Sequence, residues 1–252
     1  MKKRMLRKIR KAQISIFVIL AVLIIIVIGI YFSIRLELLN FGGLNPEVKP
    51  VYTFVEKCIK ETSEDAVYHI GDNGGYFISP NNSLDNHIPV YFDKGEVNVP
   101  SVEDIEKELE LYMDDMLFFC VKNFVDFPDF NVRQGEIKSE VKIEKGKVLF
   151  DIKYPLSISK GESSYVFSDF EYGVDVRLFL IQNVSSNLIK YQKEFPEDLC
   201  LSCIEELAID NEVYIIMRDF EKGVIIFEIV DAESEIKNQE YVFYFANKYE
   251  VK

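Results

Sequence analysis

The chain contains no tryptophan and only two histidines, His69 and His87, in 252 residues. Neither histidine has a cysteine or a second histidine at metal-ligand spacing, so a histidine-based zinc site has no ligand set, and both read as ordinary surface or capping residues. The nucleophile elbow Gly-x-Ser-x-Gly, the Walker phosphate loop, the dinucleotide fingerprint and His-Glu-x-x-His are all missing. The glycine-rich run 71–75 has no lysine and places Asp72 where a phosphate would be repelled. No internal repeat is visible. Cations are scarce as well: 29 Lys/Arg stand against 42 Asp/Glu. Eight of those cations precede residue 36 and all the acids follow it, so the remainder carries about −21. A charge of that sign repels nucleic acid and anionic lipid headgroups, and no nucleic-acid partner is expected. The many Phe and Tyr, recurring with clear periods, read as core-building and exclude a disordered acidic tail.

What the chain does have is concentrated at its start. Seven Lys/Arg fall in residues 1–12, and residues 14–34 contain no charged side chain. About 20 apolar residues at 1.5 Å rise each cross a bilayer's hydrocarbon core. The h-region of a cleaved secretory signal is shorter, about 7–15 residues. The basic flank resists translocation, which predicts a single-pass protein of the cell membrane with a cytoplasmic N-terminus and an extracellular C-terminal domain. The organisation expected is a basic leader over 1–12, a transmembrane helix over 13–35, a linker over 36–45 and one α+β domain over 46–252.

The junction reads Arg10-Lys11-Ala12-Gln13-Ile14-Ser15-Ile16-Phe17. This resembles the class III signal peptide of archaeal type IV pilin-like proteins. The resemblance covers about 20 residues and implies cleavage by a prepilin peptidase between Ala12 and Gln13, with the apolar helix left intact. It also implies copies of the chain or other pilus subunits as partners, beside the lipid bilayer. Many type IV pilins carry Glu at the fifth mature position, where this chain has Phe17, and the run 41–46 (Phe-Gly-Gly-Leu-Asn-Pro) breaks the helix that pilins usually continue.

Beyond that break, apolar residues at helical spacing predict a helix over 46–70 ended by Gly71, with Pro50 tolerated only in its first turn. Short strands are expected at 76–79 and 88–92. A second helix over 102–124 opens on Ser101 as cap, with acids in its first turn. Its acids Glu106, Glu108, Glu110, Asp114 and Asp115 are placed mostly on the side away from its apolar face. The period then changes to 2, giving strands over 137–144, 148–154 and 163–172. A third helix is expected over 174–195, and further strands over 213–218, 224–230 and 241–246. Helices and antiparallel strands that do not alternate as βαβ units indicate α+β, with about three helices on a mostly antiparallel sheet.

The four cysteines, Cys58, Cys120, Cys200 and Cys203, carry the chemistry that can be argued from sequence. An even number outside the cell suits disulfides. Cys58–Cys120 is the favoured pair, because each lies along the apolar side of a long helix and the two helices are expected to pack. Cys200 and Cys203 then form a local pair opening a short helix. Two other readings stay open: a zinc site of four thiolates, which lacks a second Cys-x-x-Cys knuckle, and thiol–disulfide exchange, which the acids Asp198, Glu205 and Glu206 oppose by disfavouring a thiolate. No metal or other cofactor is assigned. Oxygens near Asp85 (Asn81, Asn82 and Asn86) match no calcium-loop spacing. Asn81 and Asn183 head Asn-x-Ser sequons, compatible with glycosylation on an exported chain. The expectation is a non-catalytic, pilin-like or envelope-associated surface subunit, with an anchored extracytoplasmic enzyme or binding module, using Cys200 and Cys203, as the alternative.

Overall fold

A computed structural model describes residues 46–196 and 198–249. The expected leader, transmembrane helix, linker and Ala12–Gln13 processing site lie outside the described residues. Among those described, no helix is long and apolar enough to cross a membrane. The elements run α1 (Lys49–Asp72), β1 (Ser83–Leu84), β2 (Ile88–Asp93), β3 (Glu96–Val97), α2 (Val102–Val121) with a 3₁₀ turn Lys122–Phe124, β4 (Asn131–Gln134), β5 (Lys138–Ile143), β6 (Val148–Lys160), β7 (Ser163–Val174), α3 (Leu178–Glu194), α4 (Leu201–Asn211), β8 (Tyr214–Glu221), β9 (Val224–Ile236) and β10 (Gln239–Lys248). The class is α+β, with four helices among the described residues and two separate sheets.

The first sheet is a β8-β9-β10 meander continued by β2, with the two-residue strands β1 and β3 attached to β2. Only the β10–β2 pairing is parallel; β8–β9 and β9–β10 are antiparallel. Its inner face holds a stack of rings: Tyr91 on Phe245 at 4.6 Å and Phe227 on Phe245 at 5.2 Å. Burying each such side chain contributes about 1.5–3 kcal/mol. The Tyr91 hydroxyl donates to Gly74 O at 2.8 Å, so the polar tip is satisfied inside the core.

The second sheet is wholly antiparallel and centres on β6, with β7 along one side and β5 and β4 end to end along the other. The period-2 reading holds here, since Ser139, Val141 and Ile143 of β5 are buried and the residues between them exposed. β6 runs past its expected end through Pro155 to Lys160. The register shifts between Lys153 and Leu156, and this irregularity accommodates a proline that the ladder would otherwise reject.

Of the helices, α1 buries Val51, Val55, Cys58, Ile59, Ala66 and Ile70 as the spacing predicts. It does not stop at Gly71. Gly71 is still helical, and its Cβ would lie 2.4 Å from Val242 O, so glycine there permits close approach to β10 and does not end the helix. The strand expected over 76–79 is absent. The Phe77 amide instead donates to Glu108 Oε2 at 2.8 Å and Phe77 O contacts His69 Nε2 at 2.9 Å, so side chains satisfy backbone groups that a neighbouring strand would have taken. The third predicted helix starts late, at Leu178, because Val174 completes β7 opposite Val148. Ser101 caps α2 in a reciprocal capping box with Asp104.

Candidate functional site

The cysteines form two bridges, Cys58–Cys120 between α1 and α2 and Cys200–Cys203 at the start of α4, with Cα–Cα separations of 5.6 and 5.3 Å. No thiol is left free among the described residues, so the four-thiolate zinc reading is overturned. Asn81 is exposed in the loop before β1, and Asn183 is exposed on α3, where its amide donates to Phe179 O. Asn82, considered above for calcium, is occupied by Asp93 and Lys248. His87 is exposed, whereas His69 is half-buried against the Phe77 and Tyr112 rings.

Three of the α2 acids that the sequence places away from the apolar face are turned onto β5, while Asp115 is exposed. Glu106, Glu110 and Asp114 accept from the backbone amides of Ile143, Val141 and Ser139 at 2.9, 3.0 and 2.8 Å. The match is geometric. Residues four apart on a helix are separated by about 6 Å along the axis, and residues two apart on a strand by about 6.6–6.8 Å. Each carboxylate therefore meets one outward-pointing amide, and the edge of β5 is closed by side chains. Burial raises the Asp114 carboxyl above the usual range, the Ser139 donors oppose that shift, and Glu110 and Asp115 reinforce it.

The opposite situation holds at β8. Its one ladder is with β9, and no hydrogen bond to its outer backbone edge occurs among the described residues. Ile215 and Met217 pair with the core residues Ile229 and Phe227, so the sheet's apolar face runs out to this edge. Beside it lies α4, which buries only Ile204. Leu201 and Ile209 stay 61% and 68% exposed, and Tyr214 on β8 is 65% exposed. Between helix and strand runs a groove of about 760 Å³, apolar along its length and rimmed by Glu205, Glu212 and Glu233 with no Lys or Arg in its lining.

One end of the groove is held by a polar hub. Asp231, fully buried on β9, accepts from Arg177 Nε at 3.0 Å, from Arg177 Nη2, from Ser234 Oγ at 2.6 Å and from the Glu233 amide at 3.2 Å. Arg177 also donates to Glu212 O at the end of α4 and pairs with Glu233 at 3.2 Å. Burial alone would raise the Asp231 carboxyl, but the Arg177, Ser234 and Glu233 donors outweigh it and hold the group below its ordinary value. The hub fits into an irregular stretch where residues 232–234 of β9 have no partner between Asp231↔Tyr241 and Glu235↔Glu240.

Neither hub nor groove was reached from the sequence. A local signal existed for the groove: residues 213–217 are five uncharged, largely apolar residues without alternation, and α4 has apolar residues on more than one face. The Arg177–Asp231 pairing joins residues far apart in the chain and had no local signal. No protein-family model, curated protein or solved structure matches this chain.

Proposed function

We propose that this chain is a membrane-anchored surface protein whose acidic, disulfide-stapled domain is a non-catalytic interaction subunit of pilin-like or envelope-associated type. The uncharged run 14–34 behind a basic flank supports the anchor, with the N-terminus cytoplasmic and the domain outside. The Lys11-Ala12-Gln13 junction supports processing that leaves Gln13 at the head of the anchoring helix. The observation that carries the interaction role is the unpaired β8 edge beside the α4 groove, on a molecule that closes β5 with three carboxylates. Open apolar edges invite unwanted pairing, and one of this length is best accounted for by a partner. Carbonate washing of membranes from the native source tests the anchor: the chain should stay in the pellet, and external protease should remove the domain from intact cells. Release into the supernatant would overturn it.

A second reading, thiol–disulfide exchange at Cys200–Cys203, is favoured by one observation: the bridge closes the first turn of α4, where the neighbouring Leu201 and Ser202 are exposed. In that reaction a substrate dithiol is oxidised to a disulfide as Cys200–Cys203 is reduced to two thiols. The Cys200→Ser/Cys203→Ser variant discriminates. It abolishes exchange under this reading and only lowers thermal stability under the first.

A further inference from the structure

We infer that the β8–α4 groove takes an extended peptide strand from a partner protein, one whose groove-facing side, every second residue, carries both apolar side chains and Lys or Arg. The inference rests on the interaction-domain reading above and specifies the chemistry of the occupant. Three features converge on it. The outer edge of β8 presents eight residues, Tyr214–Glu221, whose outward backbone groups have no partner among the described residues. A strand laid antiparallel or parallel to that edge would extend the sheet by one member, with affinity supplied by main-chain hydrogen bonds. Side chains of such a strand alternate between two faces. One set would enter the apolar trough formed by Ile204, Ile209, Ile215 and Met217.

Charge selects the occupant further. The rim carries Glu205, Glu212 and Glu233 and no cation. Among the described residues, Glu233 pairs with Arg177 at 3.2 Å and Glu212 also feels the charge of Arg177, whereas Glu205 has no ion pair. The one cation on β8, Arg218, is engaged by Glu228 of β9. An incoming strand therefore meets an excess of carboxylates along the helix side, and lysines or arginines on the same face as its apolar residues, two positions away from one, complement them. The same charges argue against a second copy of this chain, which would bring its own Glu205 and Glu212 to the interface on a molecule of net charge −13. The Cys200–Cys203 bridge stiffens the first turn of α4 and the Arg177 bond to Glu212 O fastens its other end to the hub, which limits the ordering needed when an occupant binds.

The test uses the full chain in detergent micelles and a short synthetic peptide with valine and lysine in turn at every second position and threonine between them, followed by fluorescence anisotropy and amide hydrogen exchange. Binding is expected to slow exchange across Tyr214–Glu221 and to weaken as salt is raised. Glu205→Lys/Glu212→Lys should weaken binding about tenfold or more, and Ile209→Ser, at an exposed position that should not disturb folding, should weaken it severalfold. A peptide with glutamate in place of lysine, or one N-methylated on alternate amides, should not bind. Equal binding of the glutamate peptide, or β8 protection by self-association without peptide, would overturn the basic-strand chemistry while leaving β8 as an interaction edge. No protection of β8 by any peptide or by a second copy would overturn both this inference and the interaction role on which it rests.

Discussion

At the scale of single residues, Asp231 concentrates more consequence than any other side chain described. It is fully buried, and its ionised form is matched by Arg177, Ser234 and the Glu233 amide. Removing one member of such a pair strands the other, which typically costs about 3–5 kcal/mol. Asp231→Ala should therefore lower the unfolding free energy by about that amount in urea titration. The pH dependence has a definite sign. Because the folded-state pKa is depressed, the contribution is fully present above the unfolded carboxylate value of about 3.9 and is lost as pH falls through the folded value. The melting temperature of the wild type should then fall more steeply below about pH 4 than that of Asp231→Asn. Asp114, with its raised carboxyl, contributes in the opposite direction, since protonation relieves its burial.

At the scale of elements, the pairing of α2 with β5 explains how a strand edge is closed without another strand. Glu110→Ala leaves the Val141 amide without its acceptor and should cost about 1–3 kcal/mol, whereas Glu110→Gln keeps an acceptor oxygen and should cost less. Replacing Glu106, Glu110 and Asp114 together by alanine should open the edge and produce self-association visible by sedimentation. The Cys58–Cys120 bridge fastens the same helix to α1 across 62 residues. Cys58→Ser/Cys120→Ser should lower stability by about 4 kcal/mol in the chain-entropy picture. That bridge was legible in the sequence because Cys58 and Cys120 both fall along apolar stripes of long helices, and the β5–β6 hairpin was legible because its period is 2. The acid ladder was not. Acids four apart on a helix look the same whether they face water or a strand, and only the position of Ser139, Val141 and Ile143 decides between them. The mistaken strand at 76–79 failed for a related reason: Phe77's backbone partners are the side chains of Glu108 and His69, which no local pattern reveals.

At the scale of the whole molecule, the candidate site is less legible than the fold. Strands β8 and β9 were visible as apolar runs, but whether β8 is a central strand or an edge depends on the order β2-β10-β9-β8, which is a property of the assembled sheet. The groove then arises because α4, only eleven residues long, packs on α3 and leaves Leu201 and Ile209 facing outward beside that edge. Acidity was legible throughout, and it bears on the partner as well as on solubility, since the groove rim shares the sign of the whole domain. The proposal of a processed, anchored, disulfide-stapled surface subunit is tested most directly by intact mass and N-terminal sequencing of the membrane-extracted protein, before and after reduction and alkylation. The expected result is a chain beginning at Gln13 with all four cysteines blocked until reduction. A chain that keeps residues 1–12 and alkylates at Cys200 and Cys203 without reduction would contradict it.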